Sequence, residues 1–460
     1  MKKEPTAPTK QPTRTSRRQF VLQSSKLVSG VALAGVALPW VHAAEDNTIR
    51  LALIGSGNRG SGAVRDAMEA NNSPVKLFAM ADLFQNRLFT SHQNLVTQFG
   101  DRVDVPTERQ FIGFDAYRQA IDSLRPRSGD VAMLTTYPGF RVVHLEYAIK
   151  KGVNVFMEKS FAVDPAGLQR VLRAGEEADK KGIKIAAGLM CRHSVARQEF
   201  IKKLRAGELG NLQLVRAYRM EAYGAMGPRK ADDKDSELIY QIRNRTRFFW
   251  VSGGIFGELS IHQIDECCWL NDGWPVTAQG WGGRAVTNTD CGQDLDNYFV
   301  EYTFANGAKA LVCGRYIPKC ETDFATYVHA AKCAGQFSGN IHAATVQIYR
   351  DQRIAPDNIA WKAAKEPCTP WQAEWNVLID NIRNNRPQNE AKRAAFSNAA
   401  YLMGRAAVHM GRTVTWEEIM NSKFQFCPNI DTLTLDSPAP VHADAQGRYP
   451  VPVPGKWQEI

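Results

Sequence analysis

Between Ile49 and Ala70 the chain is confined to one local geometry. An apolar run, Ile49-Arg50-Leu51-Ala52-Leu53-Ile54, of the kind that makes a strand buried on both faces, leads directly into Gly55-Ser56-Gly57-Asn58-Arg59-Gly60. Ala63 to Ala70 then reads as the start of a helix. In a strand, tight turn and helix of this kind Gly55 lets the chain reverse, Gly57 lets backbone N–H groups approach a pyrophosphate, and Gly60 lets the helix pack close to the strand. The anion sits on the helix N-terminus. A second strand, Val75 to Ala81, ends in Asp82, about twenty residues past the last glycine. A carboxylate there accepts from both ribose hydroxyls and repels a 2′-phosphate, which favours NAD over NADP. Arg87, close behind, keeps NADP as the lesser option.

The 460 residues, 44% of them hydrophobic, suffice for two or three globular domains with ordinary cores. The net charge of +10 is concentrated at the front: residues 1–43 hold seven Lys or Arg against one Glu, six of the ten positive charges. What remains has no basic run, which argues against a nucleic-acid partner. Ser16-Arg17-Arg18-Gln19-Phe20, a mild apolar stretch from Leu27 to Leu38 and the small-residue site Val41-His42-Ala43 look like a twin-arginine export signal. The expectation is a periplasmic or otherwise exported protein. The apolar stretch is too short for a stable membrane span. The nine cysteines form no C-x-x-C pair, so zinc and other metals are not expected, and most are expected to be buried free thiols.

After Asp82, helices over 88–99 and 113–124 and a buried strand over 130–136 continue a strand-helix alternation, hence a parallel sheet. A helix over 141–150, a strand over 153–157 ending in Glu158-Lys159-Ser160, a helix over 164–181 and a strand over 183–189 complete a Rossmann-type domain spanning 44–190. Ligands of such a sheet lie off the carboxyl ends of its strands, which places Glu158 and Lys159 there. From Arg192 the pattern changes. Strands over 212–220, 297–304, 308–313 and 345–350, with Ala305-Asn306-Gly307 as a hairpin turn, predict an α/β domain over 191–390 with a large, open, mainly antiparallel sheet. Residues 224–248, rich in Arg, Lys, Asp and Gly, read as an excursion over the surface or the site. Two helices, over 371–385 and 393–411, follow, with residues 391–426 packing back on the core and a Pro-rich arm over 427–460.

A glycine-rich turn at Gly253-Gly254 opens a helix on which Glu258, His262 and Asp265 stand at i, i+4 and i+7 and share one face. A histidine so placed exchanges a proton near neutral pH and is oriented by a neighbouring carboxylate, although a capped amphipathic helix shows the same pattern.

Residues 49–60, Asp82, the Thr136-Tyr137-Pro138 turn, Glu158-Lys159 and the 253–265 segment, in this order and spacing, resemble the Gfo/Idh/MocA oxidoreductases, and the likeness runs through Gly411 to Glu418. The resemblance implies a tightly held nicotinamide cofactor contacted by Gly55, Gly57, Asn58, Arg59, Gly60, Asp82, Thr135, Thr136, Pro138, Glu158 and Lys159. It implies a small sugar or sugar-like polyol as substrate, Lys159 at the reacting hydroxyl, His262 as the group that takes its proton, and Glu258, Asp265 and Arg192 on the substrate side. It also implies a homo-oligomer. Ser160 stands where the family has Pro, Glu258 where it has Asp, and Pro138-Gly139-Phe140-Arg141 where it often has a polar, histidine-rich turn. An exported enzyme has no free NAD pool, so the cofactor must be regenerated within each cycle. The alternative implied by similar folds is a redox-neutral NAD-dependent glycoside hydrolase that oxidises, eliminates, hydrates and re-reduces its sugar.

Overall fold

Near-continuous apolar strands separated by amphipathic helices build a sheet that is covered on both faces. In the computed structural model, which describes residues 47–70, 74–286, 290–339 and 345–460, the first sheet comprises β1 (Ile49–Ile54), β2 (Val75–Asp82), β3 (Gln110–Ile112), β4 (Val131–Leu134), β5 (Asn154–Met157) and β6 (Ile185–Ala187). Its helices are α1 (Asn58–Met68), α2 (Gln85–Phe99), α3 (Ala116–Asp122), α4 (Pro138–Lys151) and α5 (Pro165–Lys181). The strands are all parallel, in the order β3-β2-β1-β4-β5-β6. The order reverses between β1 and β4, and a crevice opens at such a reversal, beyond the carboxyl ends of the strands. Asp164 caps α5 through Gly167 N at 2.8 Å, and Gly152 and Gly182 close α4 and α5 in the left-handed conformation. The export leader lies outside the described residues.

The second sheet is joined by α6 (Val195–Arg205), β7 (Leu212–Met220), α7 (Glu237–Arg243), α8 (Phe249–Ser252) and α9 (Ile255–Leu270). Then come β8 (Pro275–Gly283), β9 (Asn297–Phe304), β10 (Lys309–Arg315), β11 (Thr326–Ala330), β12 (Ala334–Ser338), β13 (Gln347–Tyr349) and β14 (Ile359–Lys362). The chain ends its regular structure with α10 (Pro370–Arg383), α11 (Ala391–Met410), β15 (Val414–Thr415) and α12 (Trp416–Asn421). The nine strands run β14-β13-β12-β11-β7-β10-β9-β8-β15, with only β7 and β10 parallel among the neighbours. The Ala305-Asn306-Gly307 hairpin is present, with Gly307 at φ +84°.

Alternate residues of β9 and β10 are buried beneath α9 and α11. The opposite face carries Trp281, 65% exposed and stacked on Phe299 at 4.2 Å. Strand β8 was not expected from the sequence, and its glycines are the reason. A Cβ at Gly280 would lie 2.3 Å from Phe299 O and one at Gly282 2.5 Å from Asn297 O, and both positions also meet Val408 of α11. Close helix-to-sheet packing has here replaced the alternation by which a strand is recognised. All nine cysteines are free thiols, six of them buried.

Candidate functional site

The turn after β1 shows what each glycine does. Gly55 has φ +99°, and a Cβ there would stand 2.6 Å from Thr136 N; one at Gly60 would stand 2.2 Å from Gly55 O. At Gly57 a Cβ would meet nothing within 4 Å. Gly57 is also the N-cap of α1 and brings no side-chain acceptor, so the first-turn N–H groups are left to whatever occupies the turn. Asn58 is exposed at the head of the helix. Thr135 ties the two central strands together, its hydroxyl donating to Gly55 O at 2.6 Å.

Asp82 ends β2 with its carboxylate fixed by Ser56 N at 2.6 Å and Phe84 N at 2.8 Å. Burial raises its pKa, and these N–H bonds work against the rise. The crevice alongside is about 650 Å³ and is lined by Gly55, Gly57, Asp82, Thr135 and Thr136, with Phe84, Phe114, Tyr137, Phe140, His144 and Ile242 as apolar and aromatic walls. Space above a glycine turn, uncapped N–H donors and an aimed carboxylate fit the pyrophosphate and ribose of a dinucleotide.

Three residues assigned to the cofactor, Arg59, Glu158 and Pro138, have protein partners or a different cavity beside them. The Arg59 guanidinium is held by Glu158 at 2.5 Å and Asp66 at 2.9 Å, so Arg59 and Glu158 neutralise each other beside the turn. Glu158 also accepts from Lys159 N at 3.2 Å. Pro138 starts α4 and faces a separate cavity of about 450 Å³ with Val142, Asp164 and Trp250, whereas its neighbour Tyr137 lines the crevice. Arg141, 2% exposed, donates to the carbonyls of Thr136 and Ser160 and so ties the ends of β4 and β5. Burial brings its pKa down to about 10. His144, bonded to the Thr136 hydroxyl at 3.0 Å, is pushed down to about 3 by burial and the neighbouring Arg141 and is neutral.

At the end of β5, Lys159 donates its Nζ to the Glu258 carbonyl and stands 3.5 Å from the Glu258 carboxylate. One turn on, His262 lies on the same face of α9, largely buried. Glu258 thus contacts Lys159 and stands one helical turn before His262. Asp265 is fully engaged: Arg192 reaches it with Nε at 2.9 Å and Nη2 at 2.8 Å, and the Ser397 hydroxyl adds a bond at 2.5 Å. Its role here is to hold Arg192, which also lies 5.1 Å over the Trp269 ring. Arg245 stands 5.0 Å over Tyr137. Burial works against its charge, yet Glu258 and Tyr137 hold its pKa above the ordinary value.

The start of α9 has Gly254 as an N-cap without a side chain, and Asp294 supplies the missing acceptor to Ile255 N at 3.1 Å. Burial drives Asp294 up to about 7, with Arg247 only partly offsetting it. With an unfolded value near 3.8, the folded chain binds more protons between these two values, so this group's contribution to stability falls as pH rises through that window. Asp294→Asn is expected to flatten the difference between urea midpoints measured at about pH 5 and about pH 8. An unchanged difference would place the slope elsewhere.

Tyr137, Phe114, Phe140, His144, Ile242 and Asp294 were not expected as site residues. The position of Tyr137 next to Thr136 offered a local signal. Phe140 and His144 follow it on α4, whereas Phe114, Ile242 and Asp294 arrive from distant segments.

The two sheets, with a crevice at the strand reversal of the first, define a Rossmann-type domain followed by a second, open-sheet domain; the fold is that of the Gfo/Idh/MocA oxidoreductases. No protein-family model matches the chain. The rhizopine catabolism protein MocA of Rhizobium meliloti is 24% identical over 227 residues, which are 49% of this chain and 58% of that protein. The chain thus matches little more than half the length of that relative. Among solved structures, aldose-aldose oxidoreductase from Caulobacter crescentus superposes with a TM-score of 0.62 at 17% identity, over 80% of this chain and 99% of that one. Myo-inositol 2-dehydrogenase from Lactobacillus plantarum gives 0.59 at 17%, with the same coverage. Scyllo-inositol dehydrogenase from Lactobacillus casei, solved with NAD(H) and scyllo-inositol, gives 0.59 at 16%, again over 80% and 99%.

Proposed function

We propose that this protein is a nicotinamide-dependent oxidoreductase acting on a hydroxyl of a sugar or sugar-like polyol, with NAD in the crevice between β1 and β4. The observation that carries this reading is Lys159, held off the end of β5 by Glu258, itself one helical turn from His262 on α9, and at the same edge of the sheet as the Asp82 crevice. The named activities of the structural neighbours, aldose-aldose oxidoreduction and inositol dehydrogenation, agree with it.

The bound nicotinamide supplies the hydride acceptor. Lys159 donates a hydrogen bond to the reacting hydroxyl oxygen, which stabilises negative charge as it develops there. His262 takes the hydroxyl proton and passes it to solvent, while the carbon gives up its hydride and becomes a carbonyl. Arg192, locked by Asp265, and Glu258 offer a fixed donor and a fixed acceptor to neighbouring hydroxyls.

The test is to denature freshly purified protein, assay the released ligand for NAD(H) and NADP(H), and follow nicotinamide absorbance as aldoses and inositols are added to undenatured protein. Bound nucleotide that is reduced by a member of the panel is the expected result. Release of phenol from an aryl glycoside without net reduction would replace this reading by the redox-neutral hydrolase. Asp82 is expected to set cofactor choice, since its carboxylate would face a 2′-phosphate as like charge. Asp82→Ser should weaken NAD and relatively favour NADP in binding titrations; an unaltered preference would move the ribose away from Asp82.

The leader supports export by the twin-arginine route, in which cofactor is loaded before transport and retained afterwards. Retention of the Arg17→Lys/Arg18→Lys protein in the cytoplasm tests this, and normal export of that variant refutes it. The open face around Trp281 and Phe299 supports a homo-oligomer packed through the second sheet. A monomeric mass by light scattering refutes that.

A further inference from the structure

We infer that Glu459 is a positioning residue of this active site, acting through Arg405; the inference rests on the reading of Lys159 and His262 as the reacting pair. Arg405 lies on α11 with its side chain 1% exposed, and its guanidinium makes four bonds in four directions. Nε donates to Glu459 at 2.8 Å, Nη1 to Gly253 O at 3.1 Å and to the Tyr401 hydroxyl at 2.6 Å, and Nη2 to Val163 O at 3.0 Å. Gly253 belongs to the turn that starts α9, and the amide of Glu258 hangs from Gly254 O at 3.1 Å. Val163 lies four residues beyond Lys159. One buried cation therefore joins the helix of Glu258 and His262 to the loop of Lys159.

The same helix reinforces both ends. The Tyr401 hydroxyl donates to Gly253 O at 2.6 Å, and a Cβ at Gly257 would lie 2.4 Å from Tyr401 Cζ, so the first turn of α9 rests on this ring. Asn398 accepts from Phe161 N at 2.9 Å and donates to Ala162 O at 3.0 Å, which fixes the Lys159 loop on the same side.

Glu459 is what keeps the guanidinium aimed. Its carboxylate is fully buried and satisfied on both oxygens, by Arg405 on one and by His409 and Trp457, each at 2.8 Å, on the other. Burial alone would raise its pKa, but Arg405 and His409 hold it down at about 2, and it stays ionised. His409 is itself set by the Tyr298 hydroxyl at 2.9 Å. Neither Glu459 nor Arg405 touches the crevice, so a change here alters where Lys159 and His262 stand relative to each other, not what binds. A misplacement of about 1 Å can cost about 10²-fold in rate.

Glu459→Gln and Glu459→Asp are compared with wild type for kcat, KM, nucleotide content and acetylation of Lys159 read by mass spectrometry. Glu459→Asp keeps the buried charge but draws the carboxylate back by one methylene from Arg405, and decides the matter if Glu459→Gln does not fold. The expected result is a kcat lower by about 10–10²-fold with KM and nucleotide content unchanged, and faster acetylation of Lys159 as its tie to the Glu258 carbonyl loosens. A wild-type kcat in the folded variants overturns the inference. So does a parallel loss of kcat, KM and nucleotide, which marks general scaffolding. Lys159→Met is run alongside: if it too keeps its rate, the reading of the site fails; if it is inactive while the other two are normal, only the positioning role fails.

Discussion

Lys159→Met and His262→Ala are each expected to leave a folded protein that still holds its nucleotide and to slow hydride transfer by about 10²–10⁴-fold, the usual loss for a missing general acid or base. Met keeps the length and apolar stem of Lys159 and removes the charge. The group left behind is Glu258, whose side chain retains 16% exposure and which has Arg245 close by, so its carboxylate stays solvated and partnered. The fold should therefore survive, unlike a variant that strands a fully buried charge. His262→Ala opens a small space on the site-facing side of α9, and Ala favours the helix. Reduction of bound nucleotide in a single turnover, beside melting curves and nucleotide content, separates chemistry from folding. A near-native rate in either variant would show that another residue handles the proton.

The part of this architecture that could be read in advance is the part decided by local backbone sterics. Strand β1, its glycine turn, α1, β2 and Asp82 follow from residues adjacent in sequence, and Gly55 and Gly60 have the close contacts such a turn demands. The face shared by Glu258, His262 and Asp265 is equally local, because helical spacing places it. What a side chain does with that placement is not local. Arg59 sits in the first turn of α1, yet its charge is claimed by Glu158, ninety-nine positions away, and by Asp66. Asp265 has the right face and is occupied by Arg192 and Ser397. Strand β8 lost its alternation to glycines that face α11, and the cap of α9 comes from Asp294, thirty-nine positions downstream. In each case the partner is chosen by tertiary packing, which leaves no periodic trace.

Two glycine variants in the nucleotide turn should fail in opposite ways, and the contrast locates the dinucleotide without a bound ligand. A methyl at Gly60 would sit 2.2 Å from Gly55 O and 2.8 Å from Thr135 Oγ1. One contact is backbone of the same turn, which cannot yield without pulling β1 and α1 apart, so Gly60→Ala should lose thermal stability and nucleotide together. At Gly57 the backbone has φ −76°, which alanine adopts freely, and the methyl would meet no protein atom within 4 Å. Gly57→Ala should therefore melt like wild type. If the space above Gly57 is where the pyrophosphate comes closest to the chain, the same methyl obstructs it, and crowding of this kind costs about 1–3 kcal/mol, or roughly 5- to 150-fold in affinity. Melting curves and calorimetric titration of both variants with NAD decide the matter. Wild-type NAD affinity in a stable Gly57→Ala protein would place the pyrophosphate away from the helix N-terminus, and the ribose away from Asp82.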